Sequence, residues 1–484
     1  MKELRNHILS LQSRSRTLEP GAGERAEIRN EVLEYTERFL DDIGELKAWN
    51  DSEDKGLGLY DDPIKEGPSA IGDLLHSVKI HVDDPHLNAA SGGHLAYVPG
   101  GGIYYSALAD YMVAVSNKYA GVFYAGPGAV RMENMLIKWM ADLMGFPGST
   151  AGNLTSGGSI ANLVGIVTAR DTHEIRGRDY EKTVIYASSQ MHHCLDKAIR
   201  IAGLAECILR HLPLDDGYRI IPSKLEESVL KDKADGLNPF LVIGSAGTTD
   251  VGAIDPLNDI AEITESHGLW FHVDGAYGAC FMLVSSERRK FKGIERADSL
   301  VIDPHKGLFL PYGTGVILVK DAENLARSLH YQANYMQDAE HGEDELSPAD
   351  VSPELTKHFR GMRLWLPLKL MGVAPFRAAL EEKLCLTRYF HERVQKIEGI
   401  EAGPEPDLSI TYFRYLPRRG DADEFNEELI SRIRTDGRVF LSSTTLDDEF
   451  VIRFACLSFR THLYHVDLLL DLIQTNIEQM EAAT

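Results

Sequence analysis

Five short apolar runs in the middle of the chain, separated by helical patterns, constrain the fold more than any other feature. Residues 183–187 (TVIYA), 240–245 (FLVIGS), 269–274 (LWFHVD), 299–303 (SLVID) and 315–319 (GVILV) are continuously apolar rather than alternating. Strands of that kind are buried on both faces. Between them, helical patterns cover 159–170, 194–204 and 256–266. The alternation predicts an α/β fold with a mainly parallel sheet covered by helices on both faces.

The 484 residues are enough for two or three packed units. Residues 1–95 read as an N-terminal helical segment. It has a helix at roughly 23–46, with Leu33, Phe39, Leu40 and Ile43 at helical spacing, then a polar stretch punctuated by Gly and Pro. Residues 96–375 hold the large α/β unit, and 376–484 a small α+β unit. A long helical pattern from 359 to about 394 is interrupted near Pro375; strands are expected at 408–415 and 450–457, and a last helix at 465–481. Segment 330–355 is polar and acidic, with Asp338, Glu340, Glu343, Asp344 and Glu345 close together. It reads as a mobile lid or a solvated insertion.

A formal charge of −23 opposes nucleic acid and anionic membrane as main partners. No run of about twenty apolar residues is present to span a bilayer. The five cysteines, Cys194, Cys207, Cys280, Cys385 and Cys456, form no C-x-x-C pair, so neither a disulfide framework nor a structural zinc site is expected. A reducing cytoplasm fits that usage. The first twenty residues lack the apolar core of a secretory signal, and the sequon Asn153-Leu154-Thr155 is read as chance.

In an open parallel sheet the ligand lies at the carboxyl ends of the strands. Here those ends carry Gln190-Met191-His192-His193, Gly247-Thr248-Thr249-Asp250, His272-Val273-Asp274-Gly275-Ala276-Tyr277 and Asp303-Pro304-His305-Lys306. Upstream, Thr155-Ser156-Gly157-Gly158-Ser159-Ile160-Ala161-Asn162 opens a helix, and free backbone N–H groups at such a turn suit a phosphate. A phosphate turn, a carboxylate ending one buried strand and a lysine ending the next are the parts of a pyridoxal phosphate site. The lysine forms the Schiff base and the carboxylate keeps the pyridine nitrogen protonated. His192 and His193 admit a metal reading, but neighbouring residues point apart and no carboxylate completes a ligand set, so no metal is expected. Pro99-Gly100-Gly101-Gly102 is only superficially like a dinucleotide loop.

With WFHVDGAYG, SLVIDPHKGLFLPYGTGVILV and TSGGSIAN on the page, the chain resembles the group II pyridoxal-phosphate-dependent amino-acid decarboxylases, which include the aromatic-L-amino-acid, histidine and glutamate decarboxylases. The resemblance runs from about His94 to about His462. It implies a PLP-dependent transferase fold of the aspartate aminotransferase type (fold type I), pyridoxal 5'-phosphate as cofactor, and an L-amino acid losing its carboxylate to give an amine and CO2. Carried over by motif, Lys306 holds the cofactor as an imine and Asp274 partners the pyridine nitrogen. His192 stacks on the ring and Ala276 packs against its other face. Thr155, Gly158 and Ser159 fall in the phosphate turn, Thr248 lies near the ring oxygen, and His305 near the phosphate and substrate carboxylate. Tyr97 and Pro99, with Tyr104 and Tyr105 beyond them, occupy the side-chain pocket region, which mildly favours an aromatic substrate. For Arg453, substrate contact and anchoring of the tail unit both stand. The family also implies a homodimer whose lid reaches the neighbouring subunit.

Two positions depart from the family pattern. Asp303 stands where the family usually has Asn, and a carboxylate beside a phosphate is repelled, so it is expected to point elsewhere or to pair with a cation. Counting back from Phe359-Arg360-Gly361-Met362, the place of the lid tyrosine that donates the Cα proton falls near Ser347 and Pro348, with Tyr331 and Tyr335 upstream as substitutes. Loss of that donor opens the alternative of an aldehyde synthase, in which oxygen is consumed and an aldehyde, ammonia and CO2 are formed. A cofactor-free scaffold is opposed by the intact Lys306 and Asp274.

Overall fold

The computed structural model describes residues 1–330 and 345–483. Near the start, β1 (Trp49–Asn50) and β2 (His86–Leu87) pair antiparallel. The main sheet has seven strands: β3 (Ala151–Thr155), β4 (Thr183–Ser188), β5 (Ile208–Leu212), β6 (Asn238–Ser245), β7 (Trp270–Asp274), β8 (Ser299–Ile302) and β9 (Gly315–Val319). Their order is β3-β9-β8-β7-β6-β4-β5, and β9 runs against both its neighbours while β8, β7, β6, β4 and β5 are parallel. Six of the seven strands therefore present their carboxyl ends at one edge. The mainly parallel sheet is as expected.

Side chains alternate across the sheet, as the two-residue period of a strand requires. Val184, Tyr186, Val316 and Leu318 face a core completed by the helices Pro127–Met144, Pro222–Ala234 and Leu257–His267. Ile185, Ala187, Ile317 and Val319 face the other core, under Gly158–Thr172, Cys194–Ile201 and Ala322–Leu329. Each such aliphatic side chain, fully buried, contributes about 1.5–3 kcal/mol.

A second sheet, order β10-β11-β13-β12, contains β10 (Ile400–Ala402), β11 (Ile410–Tyr415), β12 (Ser442–Leu446) and β13 (Glu449–Ala455). Helices Ala374–Val394, Ala422–Asp436 and Leu463–Ala483 close its core. The long helical pattern after residue 359 splits into Gly361–Met371 and Ala374–Val394, broken at Gly372 with φ +72° rather than at Pro375, which sits in the first turn where proline is tolerated. An early segment also joins this sheet: Leu95 N–H donates to Phe440 O at 2.9 Å and Leu95 O accepts from Ala455 N–H at 3.0 Å.

The beginning of the chain holds more helix than the sequence suggests. Lys2–Arg14 and Ala22–Asp42 are both helical, and neither has a buried residue. Part of the expected lid is packed instead of loose. Pro348–Val351 is a short 3₁₀ turn with Pro348 and Val351 buried, and Glu345 pairs with Arg131 at 2.7 Å. Tyr331, Tyr335 and the acidic residues 338–344 lie outside the described residues. No helix among the described residues is long and apolar enough to cross a membrane.

Candidate active site

The strand register assembles the site. Ser245 pairs with Asp274 and Asp274 with Val301, so the ends of β6, β7 and β8 lie side by side. Where they end, a cavity of about 410 Å³ opens, lined by Gly158, Ser159, His192, Thr248, Asp274, Ala276, Asp303, His305 and Lys306 among others. Nine of the residues singled out from the sequence thus share one wall or another of the same space.

Lys306 sits in the four-residue helical turn Pro304–Gly307 that follows β8, with Asp303 at its start. Its Nζ lies 3.3 Å from Asp303 Oδ2. The expectation that Asp303 pairs with a cation is met, yet it does not point away from the phosphate turn. A Cβ on Gly158 would stand 2.8 Å from Asp303 Oδ2, and Asp303 Oδ1 is buried without a hydrogen-bond partner. Burial raises its pKa above the ordinary carboxylate value, against the lowering pull of Lys306 and His305. His305 donates from Nδ1 to Thr314 O at 2.6 Å, which turns Nε2 toward Asp303 at 3.7 Å.

Asp274 ends β7 nearly buried, accepting from Ala276 N–H at 3.0 Å and from Asn162 Nδ2 at 3.2 Å. Each of its two oxygens thus has a protein donor, and the residue lines the cavity. His192 accepts the Cys194 N–H at its Nδ1, 3.2 Å away. Burial lowers its pKa, so at neutral pH the ring is uncharged and its single proton sits on Nε2. His193 is exposed, its ring 4.2 Å from that of His192.

Gly157 has φ +152° and the 15-residue helix Gly158–Thr172 starts with no side-chain cap. Its first N–H groups have no intrahelical acceptor and face the cavity, which fits a phosphate dianion. Thr155 does not line the cavity. Its Oγ1 donates to Gly157 O at 3.0 Å and accepts from Gly157 N–H at 3.3 Å, so it shapes the turn from behind. Thr248 also works on the backbone, accepting from Ala253 N–H at 3.0 Å, while presenting one edge to the cavity. Lys306, the Asp274 carboxylate and a turn at Gly158 where a Cβ would stand 2.8 Å from Asp303 Oδ2 together fit pyridoxal phosphate.

Tyr97, Pro99 and Arg453 are outside the cavity wall. Tyr97 is exposed with φ +57°, near Phe440 at a centroid distance of 6.0 Å. Pro99 is buried, and a Cβ on the adjacent Gly100 would come within 2.0 Å of His305 O, so this loop packs on the backbone that carries the lysine. Arg453, 3% exposed, donates to Asp250 O at 2.8 Å, to Ser442 Oγ at 2.8 Å and to Thr249 O. It ties the second sheet to the loop after β6. Residues not singled out for a role at the site, but brought to it by the fold, are Asn162, Cys194, Gln190 and Tyr312. A helix that starts at Gly158 turns Asn162 to the same face one turn on, a signal already present in TSGGSIAN.

A lysine and a carboxylate at adjacent strand ends, beside a helix that begins in glycines, define a vitamin B6 enzyme of fold type I. The family model described as pyridoxal-dependent decarboxylase conserved domain matches residues 66–416. An aromatic-L-amino-acid decarboxylase of Bacillus atrophaeus is 33% identical over 451 residues, covering 90% of this chain and 92% of the relative. A phenylacetaldehyde synthase of Arabidopsis thaliana is 27% identical over 411 residues, 82% of this chain and 84% of that one. A solved structure of Oryza sativa TDC with PLP and tryptamine shares the fold with a TM-score of 0.90 at 24% identity, covering 96% and 99% of the two chains. The chain belongs to the pyridoxal-dependent decarboxylase family; it is a lyase with pyridoxal phosphate as cofactor, acting on an amino acid.

Proposed function

We propose that the enzyme releases CO2 from the α-carbon of an aromatic L-amino acid and returns the amine. The observation that carries this is the single cavity holding Lys306, Asp274, His192 and the Gly158–Ser159 turn. When bound there, the cofactor supplies an electron-poor ring that accepts the electron pair left by the departing carboxylate. Lys306 would hold it through Nζ, and Asp303 at 3.3 Å steadies that nitrogen. Asp274 keeps the proton on the pyridine nitrogen. His192 offers Nε2–H from the cavity wall as a hydrogen-bond donor. Gly158 and Ser159 hold the phosphate through their N–H groups, Thr155 holds that turn, and Ala276 leaves a flat, small surface beside Asp274.

The aromatic preference is supported by the aromatic-L-amino-acid decarboxylase relative. Arg453 acts in this reading by holding Thr249 and Asp250 in place for the substrate. An aldehyde-forming reaction is the second reading. It is supported by the synthase relative and by the place expected for the lid tyrosine, where Ser347 spends its hydroxyl on Phe123 N–H at 2.9 Å. Incubation with tyrosine, tryptophan, phenylalanine and glutamate, recording amine, aldehyde, peroxide and oxygen uptake, separates the two. Amine without oxygen consumption is the expected result; stoichiometric aldehyde and peroxide would replace it with the second reading.

The assembly we propose is a homodimer in a reducing compartment. Helix Tyr104–Ser116 exposes Tyr105, Leu108, Met112 and Val115, and helix Lys2–Arg14 exposes Leu4, Ile8 and Leu11. Apolar surface of this extent ordinarily meets another chain. All five cysteines are free thiols. Sedimentation at micromolar concentration is expected to give twice the 53.8 kDa of one chain.

A further inference from the structure

Behind Asp274 runs a chain of hydrogen bonds that the reaction does not touch. Trp270 Nε1–H donates to Ser299 Oγ at 2.9 Å. Ser299 Oγ and His272 Nδ1 are 2.7 Å apart, and His272 Nε2 and Asn162 Oδ1 are 2.8 Å apart. Asn162 Nδ2 closes the chain on Asp274 Oδ2 at 3.2 Å. Every member is buried, none more than 9% exposed. The strands explain the assembly: His272 and Asp274 lie two residues apart on one face of β7, and Ser299 is the register partner of His272 on β8.

The donor directions are determined by chemistry. A carboxylate only accepts, so the Asn162 amide must turn its NH2 to Asp274 and its oxygen to His272. Burial holds the His272 pKa down at about 4, so the ring carries one proton, and the Asn162 oxygen requires that proton on Nε2. Nδ1 is then an acceptor and takes the Ser299 hydroxyl proton, leaving the Ser299 lone pair for the indole N–H, which can only donate. The helix above makes room for this arrangement. Gly165 faces the imidazole, and a Cβ there would stand 2.6 Å from His272 Cε1.

We propose that Trp270, Ser299, His272 and Asn162 are positioning residues that hold the Asp274 carboxylate fixed and aimed at the cofactor, so that the proton shared between them stays on the pyridine nitrogen. The proposal rests on Asp274 being the partner of that nitrogen. Removing the Ser299 hydroxyl leaves His272 Nδ1 without its donor, so the imidazole is no longer held from behind and the Asn162 amide it orients loosens against the carboxylate. The hold of Asp274 on the ring-nitrogen proton weakens with it.

The test uses the holoenzyme loaded with 15N-pyridine-labelled pyridoxal phosphate, with the nitrogen resonance, the visible absorption of the bound cofactor and kcat measured for each variant. Wild type is expected to show a protonated nitrogen. Ser299→Ala is expected to shift that resonance toward the unprotonated position and to lower kcat about 10- to 100-fold, as loss of an outer hydrogen-bond partner does, while Ser299→Thr restores both. Asp274→Asn is the reference: it must itself shift the resonance. No shift in Asp274→Asn overturns the pairing of Asp274 with the ring nitrogen. A shift there, with Ser299→Ala indistinguishable from wild type, overturns the relay alone. Gly165→Ala, which presses on His272 without altering any hydrogen-bonding group, and Asn162→Ala read the same resonance should Ser299→Ala fail to fold.

Discussion

Lys306 and Asp274 are separable in their effects. Lys306→Arg keeps a cation but cannot form an imine, so bound-cofactor absorption and turnover are both expected to vanish, turnover by about 10³-fold or more. Asp274→Asn is expected to retain the cofactor with kcat lower by about 10²- to 10³-fold, the range for losing one preorganised electrostatic group. Asp303 makes a pH-dependent prediction. Its carboxyl is pushed up by burial and stands by the phosphate turn, so it holds a proton at low pH and repels the phosphate once that proton leaves. Asp303→Asn is therefore expected to tighten cofactor binding more at the alkaline end of a pH series than at the acidic end, by about tenfold for each pKa unit of coupling removed; equilibrium titration of the apoenzyme across that series measures it. These three side chains were legible in the sequence because their motif is contiguous in the chain. Asn162 and Ser299 were not, because their importance depends on which face of a helix and which register of a strand they take.

Among the elements, the loop carrying Gly100 has a sharp packing constraint. A methyl group there would meet His305 O at 2.0 Å, and a backbone atom cannot yield as a side-chain tip can. Gly100→Ala is expected to cost about 1–3 kcal/mol in urea unfolding and to lower activity by displacing the lysine turn. Gly148→Ala, with nothing within 4 Å of the added carbon, serves as the neutral control. Strands β4, β6, β7, β8 and β9 were readable as apolar runs. β3 was not: its AGNLT carries a glycine, an asparagine and a threonine, and Asn153 is buried only because Lys357 Nζ donates to its Oδ1 at 2.7 Å. β5, with Arg210 and His211 exposed at the edge of the sheet, also lacks the apolar signature. Pairing partners, not local composition, make these two segments into strands.

For the whole molecule, three buried histidines set a pH dependence of stability. His94, His272 and His465 have their pKa values lowered from 6.5 to about 4 by burial. The unfolded chain takes up protons that the folded chain refuses, so the stability from these groups is complete above pH 6.5 and is lost as pH falls toward 4. Buried Asp255, raised to about 6, acts in the opposite direction, but only below that pH. Lowering the pH from 7.5 to 5.5 is accordingly expected to lower the urea midpoint; a midpoint that rises over that interval would contradict the assignment. The charge of −23 works against this fall, because it grows less negative over the same interval and self-repulsion in the folded chain eases, so the drop is smaller than the histidines alone would give.

Local chemistry along the chain was enough to predict the α/β pattern and to nominate the phosphate turn, the imine-forming lysine and its opposing carboxylate. Each of those rests on residues within a few positions of one another, where chain geometry leaves little freedom. The packed chain alone decided that Arg453 spends its donors on the loop after β6, that Asp303 faces the Gly158 turn, and that a serine on the neighbouring strand stands behind the carboxylate. Contacts between residues tens to hundreds of positions apart depend on sheet order and register, which no short stretch of sequence encodes.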